Sequence, residues 1–242
     1  MTRFTVVADA AAVCLATADR FVEVATAAIA ERGVFRVALS GGSTPRNVYP
    51  LLLEPARRDA VDWGRAEFFW GDERAVPPDH PDSNFGLAYS SFISHLPGAR
   101  QDAVHRMPAE ANDLDAAALG YESELRLAFG ARGDVPPAFD LVWLGMGPDG
   151  HTASLFPGSP AVEERDRWVI ATWAEPMNAW RMTLTLPVLN AGRVVLVAVY
   201  GANKVDVLRE IRSGSSELPA GRVTGEQVEW IIDAAAADGE DG

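Results

Sequence analysis

The chain has 242 residues, of which 48% are hydrophobic, and a formal net charge of −13 at pH 7. This acidic balance argues against binding to nucleic acid or to an anionic membrane, because both of those partners are polyanions. The single cysteine excludes a disulfide framework and a cysteine-based metal site, and it favours a reducing, cytoplasmic environment.

Predicted strands and helices alternate through the first half of the chain. The apolar run Phe4–Ala8 is too short for a signal-peptide core or a membrane span, and it fits a strand instead. Thr44 followed by Pro45 indicates an N-cap and a first helical position, and Ser83 or Asn84 caps a later helix. In chain order, strands are predicted at Arg3–Ala8, Phe35–Leu39 and Glu67–Gly71, and helices at Ala10–Arg32, Arg46–Leu53, Phe85–Leu96 and Leu114–Phe129.

The second half continues the alternation up to the C-terminal region. There, Thr224 with Gln227 three residues later resembles a capping box, which predicts a helix to about Ala237 and a frayed tail at 238–242. Before this helix, strands are predicted at Phe139–Leu144, Trp168–Trp173 and Arg193–Tyr200, and a helix at Ala202–Ile211.

The strands read as continuous apolar runs, which indicates that both faces of the sheet are covered. We therefore expect an α/β fold in which residues 1–242 form a single domain with one doubly wound, mostly parallel sheet. Ligands of such sheets bind beyond the carboxyl ends of the strands. The loops that directly follow predicted strands are the candidate site: Ser40–Thr44, Asp72–Arg74, Gly145–His151 and Gly201–Lys204.

A loop rich in glycine and hydroxyl groups lies between a predicted strand and a helix N-terminus. It consists of Ser40, Gly41, Gly42, Ser43 and Thr44. Backbone N–H groups, hydroxyls and the positive end of the helix dipole together suit a phosphate group. No Gly-Lys-Ser/Thr sequence follows, so the loop is not that of a nucleoside triphosphatase. An ordinary tight turn before a capped helix is the structural alternative.

Charged residues close to the other strand ends are candidates for substrate contacts. Lys204 is the only lysine among 21 basic residues, and Lys204, Arg181 and Arg46 are candidate cations for the same phosphate. Asp72 and Arg74 directly follow a predicted strand, and Arg74 can donate hydrogen bonds to an oxyanion. Each of these charges also fits a solvated surface position, and only the convergence of several strand-end loops favours a site.

The loop Gly145–His151 ends on a histidine, a residue type that exchanges protons near neutral pH. Its glycines let the backbone come close to a ligand, and Asp149 can orient the ring of His151 or a water molecule. The loop also matches the dinucleotide pattern G-x-G-x-x-G, but Pro157 interrupts the long helix that such a site needs. Ser154 has no G-x-S-x-G setting, so water is the expected nucleophile.

The remaining histidines do not indicate a metal site. His80, His95 and His105 have no neighbouring histidine at zinc spacing, and surface or packing roles suit them better. We predict that the protein needs neither a metal nor a cofactor.

Six segments in the right order resemble the 6-phosphogluconolactonase family. This resemblance implies the fold of the glucosamine-6-phosphate isomerase and lactonase superfamily, and hydrolysis of 6-phospho-D-glucono-1,5-lactone by a carboxylic ester hydrolase of the pentose phosphate pathway. The expected partner is this small phosphorylated lactone, and the expected state is a monomer or weak homo-oligomer. The segments are SGGSTP at 40–45, FFWGDERAVP at 68–77 with SNFGLA at 83–88, GMGPDGHTASLFPG at 145–158, RMTLT at 181–185 and GANK at 201–204.

Two other functions are compatible with the same superfamily. The isomerases/deaminases resemble this loop up to His151 but carry a glutamate five residues later, where this chain has Phe156. A sugar-phosphate-sensing regulator would keep the fold without the chemistry, and it would usually need a DNA-binding helix-turn-helix that this acidic chain does not supply. Hydrolysis is therefore the expected activity, with His151, Asp149, Arg74 and Asp72 as its candidate catalytic residues.

Overall fold

A parallel sheet of six strands forms the centre of the computed structural model, which describes residues 2–214 and 216–237. The predicted α/β class is confirmed, and the predicted frayed tail lies outside the described residues. In chain order the strands are β1 Thr2–Val7, β2 Phe35–Leu39, β3 Ala66–Trp70, β4 Asp72–Arg74, β5 Leu141–Leu144, β6 Val169–Ala174, β7 Ala179–Leu184, β8 Val194–Val199 and β9 Gln227–Asp233.

Helices cover the sheet and connect its strands. They are α1 Ala10–Arg32, α2 Ser43–Leu52, α3 Pro55–Arg58, α4 Asn84–Ser91, α5 Leu114–Ala128, α6 Leu186–Asn190 and α7 Val205–Arg212. The order of the central sheet is β1-β9-β8-β5-β2-β3, and every pairing in it is parallel. The carboxyl ends of β8, β5, β2 and β3 are thus neighbours at one edge, where the loops after these strands meet.

Local signals set the bounds of the elements that the sequence predicts well. The side chain of Asp9 accepts a hydrogen bond from Ala12 N (2.8 Å) at the start of α1, and Gly33 ends this helix with a φ of 78°. The intervening apolar residues face the sheet, and Phe21 packs edge-on against Trp143 of β5. Both α1 and β2 have the predicted bounds.

The predicted C-terminal helix is wrong. Residues Gln227–Asp233 form β9, which pairs in parallel with β1 on one side and β8 on the other. Glu229 lies within this buried strand, and its carboxylate accepts two hydrogen bonds from Arg20 of α1 at 2.7 and 2.8 Å. A short apolar run cannot be distinguished from a buried helical segment by its periodicity. The apparent capping box at Thr224 favoured a helix here.

A second, antiparallel sheet was not predicted. Its order is β4-β7-β6, so Trp168–Trp173 contributes to this sheet instead of the central one, and Asp72–Arg74 is a short strand instead of a loop. The turn between β6 and β7 contains Asn178 with a φ of 48°, a conformation that asparagine tolerates better than most residues. This sheet places β4 and β7 beside the candidate site.

Helix α2 starts earlier than predicted. Its N-cap is Gly42, with a φ of 94°, and Thr44 and Pro45 lie inside the helix. Glycine adopts this backbone conformation without steric cost. No helix among the described residues is long and apolar enough to cross a membrane.

Candidate active site

A cavity of about 200 Å³ opens at the carboxyl edge of the central sheet. Loops that follow β2, β3, β5 and β8 line it, as expected for a ligand site in a parallel sheet. The lining residues are Ser40, Gly41, Gly42, Ser43, Thr44, Pro45, Asp72, Arg74, Asn84, Gly145, Met146, Gly147, His151, Ala153, Ala198, Val199, Tyr200 and Lys204.

The loop Ser40–Thr44, called the phosphate loop below, presents the start of α2 to this cavity. Its cap residue Gly42 has no side chain and therefore makes no side-chain hydrogen bond to the N-terminus of the helix. The first N–H groups of a helix have no partner within the helix. They are therefore available to an anion, which the helix dipole also attracts.

His151 forms a close pair with Asp149 at the end of the loop after β5. Its Nδ1 lies 2.6 Å from Asp149 Oδ1, and its backbone N–H donates to the same oxygen at 3.2 Å. A carboxylate beside Nδ1 favours the tautomer that carries its proton there, which leaves Nε2 able to accept a proton. The pair thus has the arrangement of an oriented general base.

The surroundings of this pair fix its geometry and charge. A Cβ at Gly147 would lie 2.1 Å from His151 Nδ1, so the loop can hold the ring in this position only with glycine there. The ring also packs against Phe156, with 4.4 Å between ring centroids. Burial alone would raise the pKa of the Asp149 carboxyl, but the charge and hydrogen bonds of His151 hold this pKa below its usual value.

Lys204 lines the same cavity from the turn after β8. Burial lowers the pKa of its ammonium group, and the negative charge of Asp149 opposes this shift. Among the described residues, no acceptor or carboxylate lies within hydrogen-bond or ion-pair distance of its Nζ. The turn itself is held by Asp233 of β9, whose Oδ1 accepts a hydrogen bond from Gly201 N at 2.9 Å.

Arg74 and Arg181 form a directly opposed pair on β4 and β7. Opposed residues of antiparallel strands project from the same face with Cβ atoms about 5 Å apart, so both guanidinium groups belong to one positively charged region. Burial and then the positive charge of Arg74 lower the pKa of Arg181. Arg74 lines the cavity and donates to the Asp82 carbonyl, whereas Arg181, which is not among the lining residues, adds its charge from the neighbouring strand.

Asp72 is anchored by two neutral side chains. Its Oδ1 accepts from Asn84 Nδ2 at 3.0 Å, and its Oδ2 accepts from Ser154 Oγ at 2.6 Å. Neither oxygen accepts from Arg74. Sequence reasoning missed the roles of Asn84 and Ser154, because both contacts join loops that are distant in the chain.

Two other charged residues near the site have different surroundings. Glu73 is buried, and its carboxylate accepts hydrogen bonds from Ser83 Oγ (2.9 Å), Asn84 N (2.8 Å) and Phe85 N (2.7 Å), which anchors the start of α4. Burial raises the pKa of Glu73, although these hydrogen bonds oppose the shift. Arg46 is exposed on α2 and lies outside the cavity lining. No group of three or more potential metal ligands occurs among the described residues.

Comparisons with known proteins match the chain over most of its length. Residues 8–232 match the family described as glucosamine-6-phosphate isomerases/6-phosphogluconolactonase. A 6-phosphogluconolactonase of Synechocystis sp. is 40% identical over 220 residues, 88% of each chain. A 6-phosphogluconolactonase of Mycobacterium tuberculosis is 38% identical over 230 residues, 92% of each chain. The solved structure of 6-phosphogluconolactonase from Trypanosoma cruzi matches with a TM-score of 0.87 and 28% identity, covering 100% of this chain and 98% of that chain.

Proposed function

The chain belongs to the family of glucosamine-6-phosphate isomerases and 6-phosphogluconolactonases, and we propose that it hydrolyses 6-phospho-D-glucono-1,5-lactone to 6-phospho-D-gluconate. This reaction is the second step of the oxidative pentose phosphate pathway. Names of relatives at about 40% identity over most of the chain support it. Within the molecule, the observation that carries the proposal is the His151–Asp149 pair in a cavity that also contains the phosphate loop.

The phosphate group of the substrate binds at the phosphate loop in this proposal. The free N–H groups at the start of α2 and the hydroxyls of Ser40, Ser43 and Thr44 donate hydrogen bonds to it. Lys204 contributes a compact point charge, and Arg181 can bind two oxygens at once. Arg181 and Arg46 both lie outside the cavity lining, but Arg181 is partly buried directly opposite the lining residue Arg74, whereas Arg46 is exposed on α2. We therefore assign Arg181 to the phosphate and give Arg46 no part.

His151 acts as the general base. Its Nε2 takes a proton from a water molecule as the water oxygen attacks the lactone carbonyl carbon, and a tetrahedral oxyanion forms. Asp149 holds the ring and stabilises its positively charged form. The bond between the carbonyl carbon and the ring oxygen then breaks, and His151 returns the proton to the departing ring oxygen. The products are the carboxylic acid and a hydroxyl group, so the reaction consumes one water.

Arg74 donates to the oxyanion together with N–H groups of the loop after β5. This function differs from that of Arg181, although the two side chains project from neighbouring strands. Asp72 has a positioning role, because Asn84 and Ser154 fix both of its oxygens. Its negative charge also favours the charged form of Arg181.

The position of Phe156 argues against isomerisation. A ring-opening isomerase of this family would need a carboxylate at this position beside the histidine, whereas this chain packs an apolar ring against His151. Such a ring shields the histidine and offers no second proton-transfer group. We therefore favour the lactonase function over the isomerase/deaminase function.

We propose that the chain acts in the cytoplasm as a single domain, as a monomer or weak homo-oligomer, and without a metal or cofactor. The phosphate loop, β4 and the loop after β5 all line one cavity, which supports one functional unit. Full activity after treatment with a chelator would agree with the metal-free mechanism, and loss restored by one divalent ion would contradict it.

A coupled assay tests the proposed reaction. Freshly generated phosphogluconolactone is supplied, and formation of 6-phosphogluconate is followed beside the spontaneous hydrolysis of the lactone. Glucosamine 6-phosphate is assayed in parallel for isomerisation and release of ammonia. Rapid lactone hydrolysis without turnover of the amino sugar is expected, and the reverse pattern would establish the isomerase function instead.

A further inference from the structure

Asn84 is a buried polar residue of the cavity whose amide oxygen has no role in the proposed reaction. It is 1% exposed and lies at the first position of α4. Its Nδ2 donates to the backbone oxygen of Asp72 at 2.9 Å and to Asp72 Oδ1 at 3.0 Å. Its Oδ1 is buried and has no hydrogen-bond partner among the residues that the structure describes. A buried acceptor without a partner lowers stability, so an unpaired Asn84 oxygen at this position suggests a role other than stabilising the fold.

The unpaired oxygen lies against Gly41 of the phosphate loop. A Cβ at Gly41 would come within 1.6 Å of Asn84 Oδ1 and within 2.3 Å of Asn84 Cγ. Gly41 does not have a positive φ, in contrast to Gly42. Glycine is therefore required at position 41 because the Asn84 side chain leaves no space for a Cβ, and not because of the backbone conformation. The side chain of Asn84 is the obstacle that a larger residue would meet.

We propose that Asn84 is a positioning residue that sets the distance between the phosphate loop and the reactive edge of the site. One end of its amide group binds Asp72, which also contacts Ser154 in the loop after β5. The other end packs against Gly41. The bridge thereby fixes where the phosphate of the substrate lies relative to His151. The catalytic consequence of this inference rests on the proposed lactonase function.

A purely structural role for Asn84 makes a different prediction. As the first residue of α4 it would support the helix, and its loss would lower stability while leaving the phosphate affinity of the folded protein unchanged. A positioning role instead makes phosphate affinity depend on Asn84 and couples this dependence to Gly41, since the Cβ introduced at position 41 has room only when the Asn84 side chain is shortened. Non-additivity between neighbouring substitutions measures such coupling.

The test is a double-mutant cycle of Gly41→Ala, Asn84→Ala and the combined variant. The first readout is the affinity for inorganic phosphate by calorimetry, and the second is kcat and KM for phosphogluconolactone. We expect Gly41→Ala to weaken phosphate binding about tenfold and to raise KM similarly. Asn84→Ala should have a smaller effect, and the combined variant should bind phosphate no more weakly than Asn84→Ala. Losses that multiply in the combined variant would overturn the proposal.

Controls separate this inference from failure of folding and from failure of the proposed function. Asn112→Ala removes an exposed asparagine and should change neither readout. Thermal unfolding is measured for every variant, and Asn84→Ser replaces Asn84→Ala in the cycle if the alanine variant does not fold. Phosphate binding needs no turnover, so the coupling can be measured even if the wild-type chain fails to hydrolyse the lactone. Independent effects on phosphate affinity would reject the positioning role whatever the reaction is.

Discussion

Charges cluster at both ends of the strands in the central sheet, called the amino edge and the carboxyl edge. The charges at the amino edge are paired with one another, whereas two cations at the carboxyl edge, Lys204 and Arg181, have no ion-pair partner among the described residues. At the amino edge, Asp140 is 4% exposed and accepts from Arg32 Nε and from Arg36 N, both at 2.8 Å. Arg36 in turn donates to Glu67 at 2.7 Å. These charges satisfy one another, and the cluster needs no ligand.

At the carboxyl edge, the positive charges lack such partners. Lys204 and Arg181 are partly buried, and burial lowers the pKa of both. No carboxylate within the described part of the chain lies at ion-pair distance from either. Burying an unpaired charge is unfavourable, so a bound anion would relieve this cost. Unpaired buried charge, more than the number of charges, distinguishes the carboxyl edge, where we propose the active site, from the amino edge.

The largest expected effect tests the chemistry of the carboxyl edge. His151→Ala should lower kcat for phosphogluconolactone by about a hundredfold or more, as expected for loss of a general base. The fold should be retained, because the side chain lines the cavity and is only partly buried. His95→Ala serves as the matched control at an exposed histidine. Near-normal turnover, after correction for spontaneous hydrolysis, would remove His151 from the mechanism.

The second prediction tests whether the unpaired charge of Lys204 serves the phosphate. Lys204→Ala should weaken binding of the phosphorylated lactone by about 1.5–3 kcal/mol, the usual contribution of a hydrogen bond to a charged group. Hydrolysis of unphosphorylated gluconolactone should hardly change. Equal losses on the two substrates would mean that Lys204 supports the chemistry or the fold, and no loss on either would make it an ordinary surface charge.

The third prediction concerns the compensated edge, where stability should change and catalysis should not. Asp140→Asn should lower the free energy of unfolding by about 1–3 kcal/mol, because donors from Arg32 and Arg36 lose a charged acceptor. Because Arg32 is partly exposed, we expect the loss in the free energy of unfolding to lie near the lower end of this range. Urea denaturation measures the change, and kcat is measured well below the unfolding midpoint. A large fall in kcat with unchanged stability would contradict the division between the edges.

Parts of the site that depend on local sequence could be predicted, and parts that depend on contacts between distant residues could not. The phosphate loop and the loop Gly145–His151 carry local signals, since glycines and a strand end lie next to each other in the chain. The opposed pair Arg74 and Arg181 depends on an antiparallel sheet for which the turn before β7 gives only a weak signal. The contact of Asn84 with Gly41 is purely tertiary. Local patterns therefore identified the loops, and packing determined which side chains act together.

The central sheet shows a similar limit at β9. Its acidic residue Glu229 suggests a helical surface position, yet Arg20 of α1 neutralises it inside the sheet. Arg3 of β1 lies 3.7 Å from the same carboxylate, so two arginines that are distant in the chain make a strand compatible with the charge. The turn that carries Lys204 depends on the same strand, because Asp233 at the end of β9 binds Gly201 N.

The smallest expected effect concerns the dependence of stability on pH at the carboxyl edge. His151 holds the pKa of Asp149 below its usual value, although burial alone would raise it. A carboxyl whose pKa is lower in the folded state contributes stability above its unfolded pKa of about 4, and this contribution is lost as the pH falls through the folded pKa. Urea unfolding of Asp149→Asn should therefore show a shallower loss of stability than wild type as the pH is lowered from 5 to about 3. Asp166→Asn removes an equal charge at an exposed position and should follow the wild-type slope. If both variants follow the wild-type curve, the Asp149–His151 contact does not stabilise the folded state, and its contribution would be limited to orienting the base.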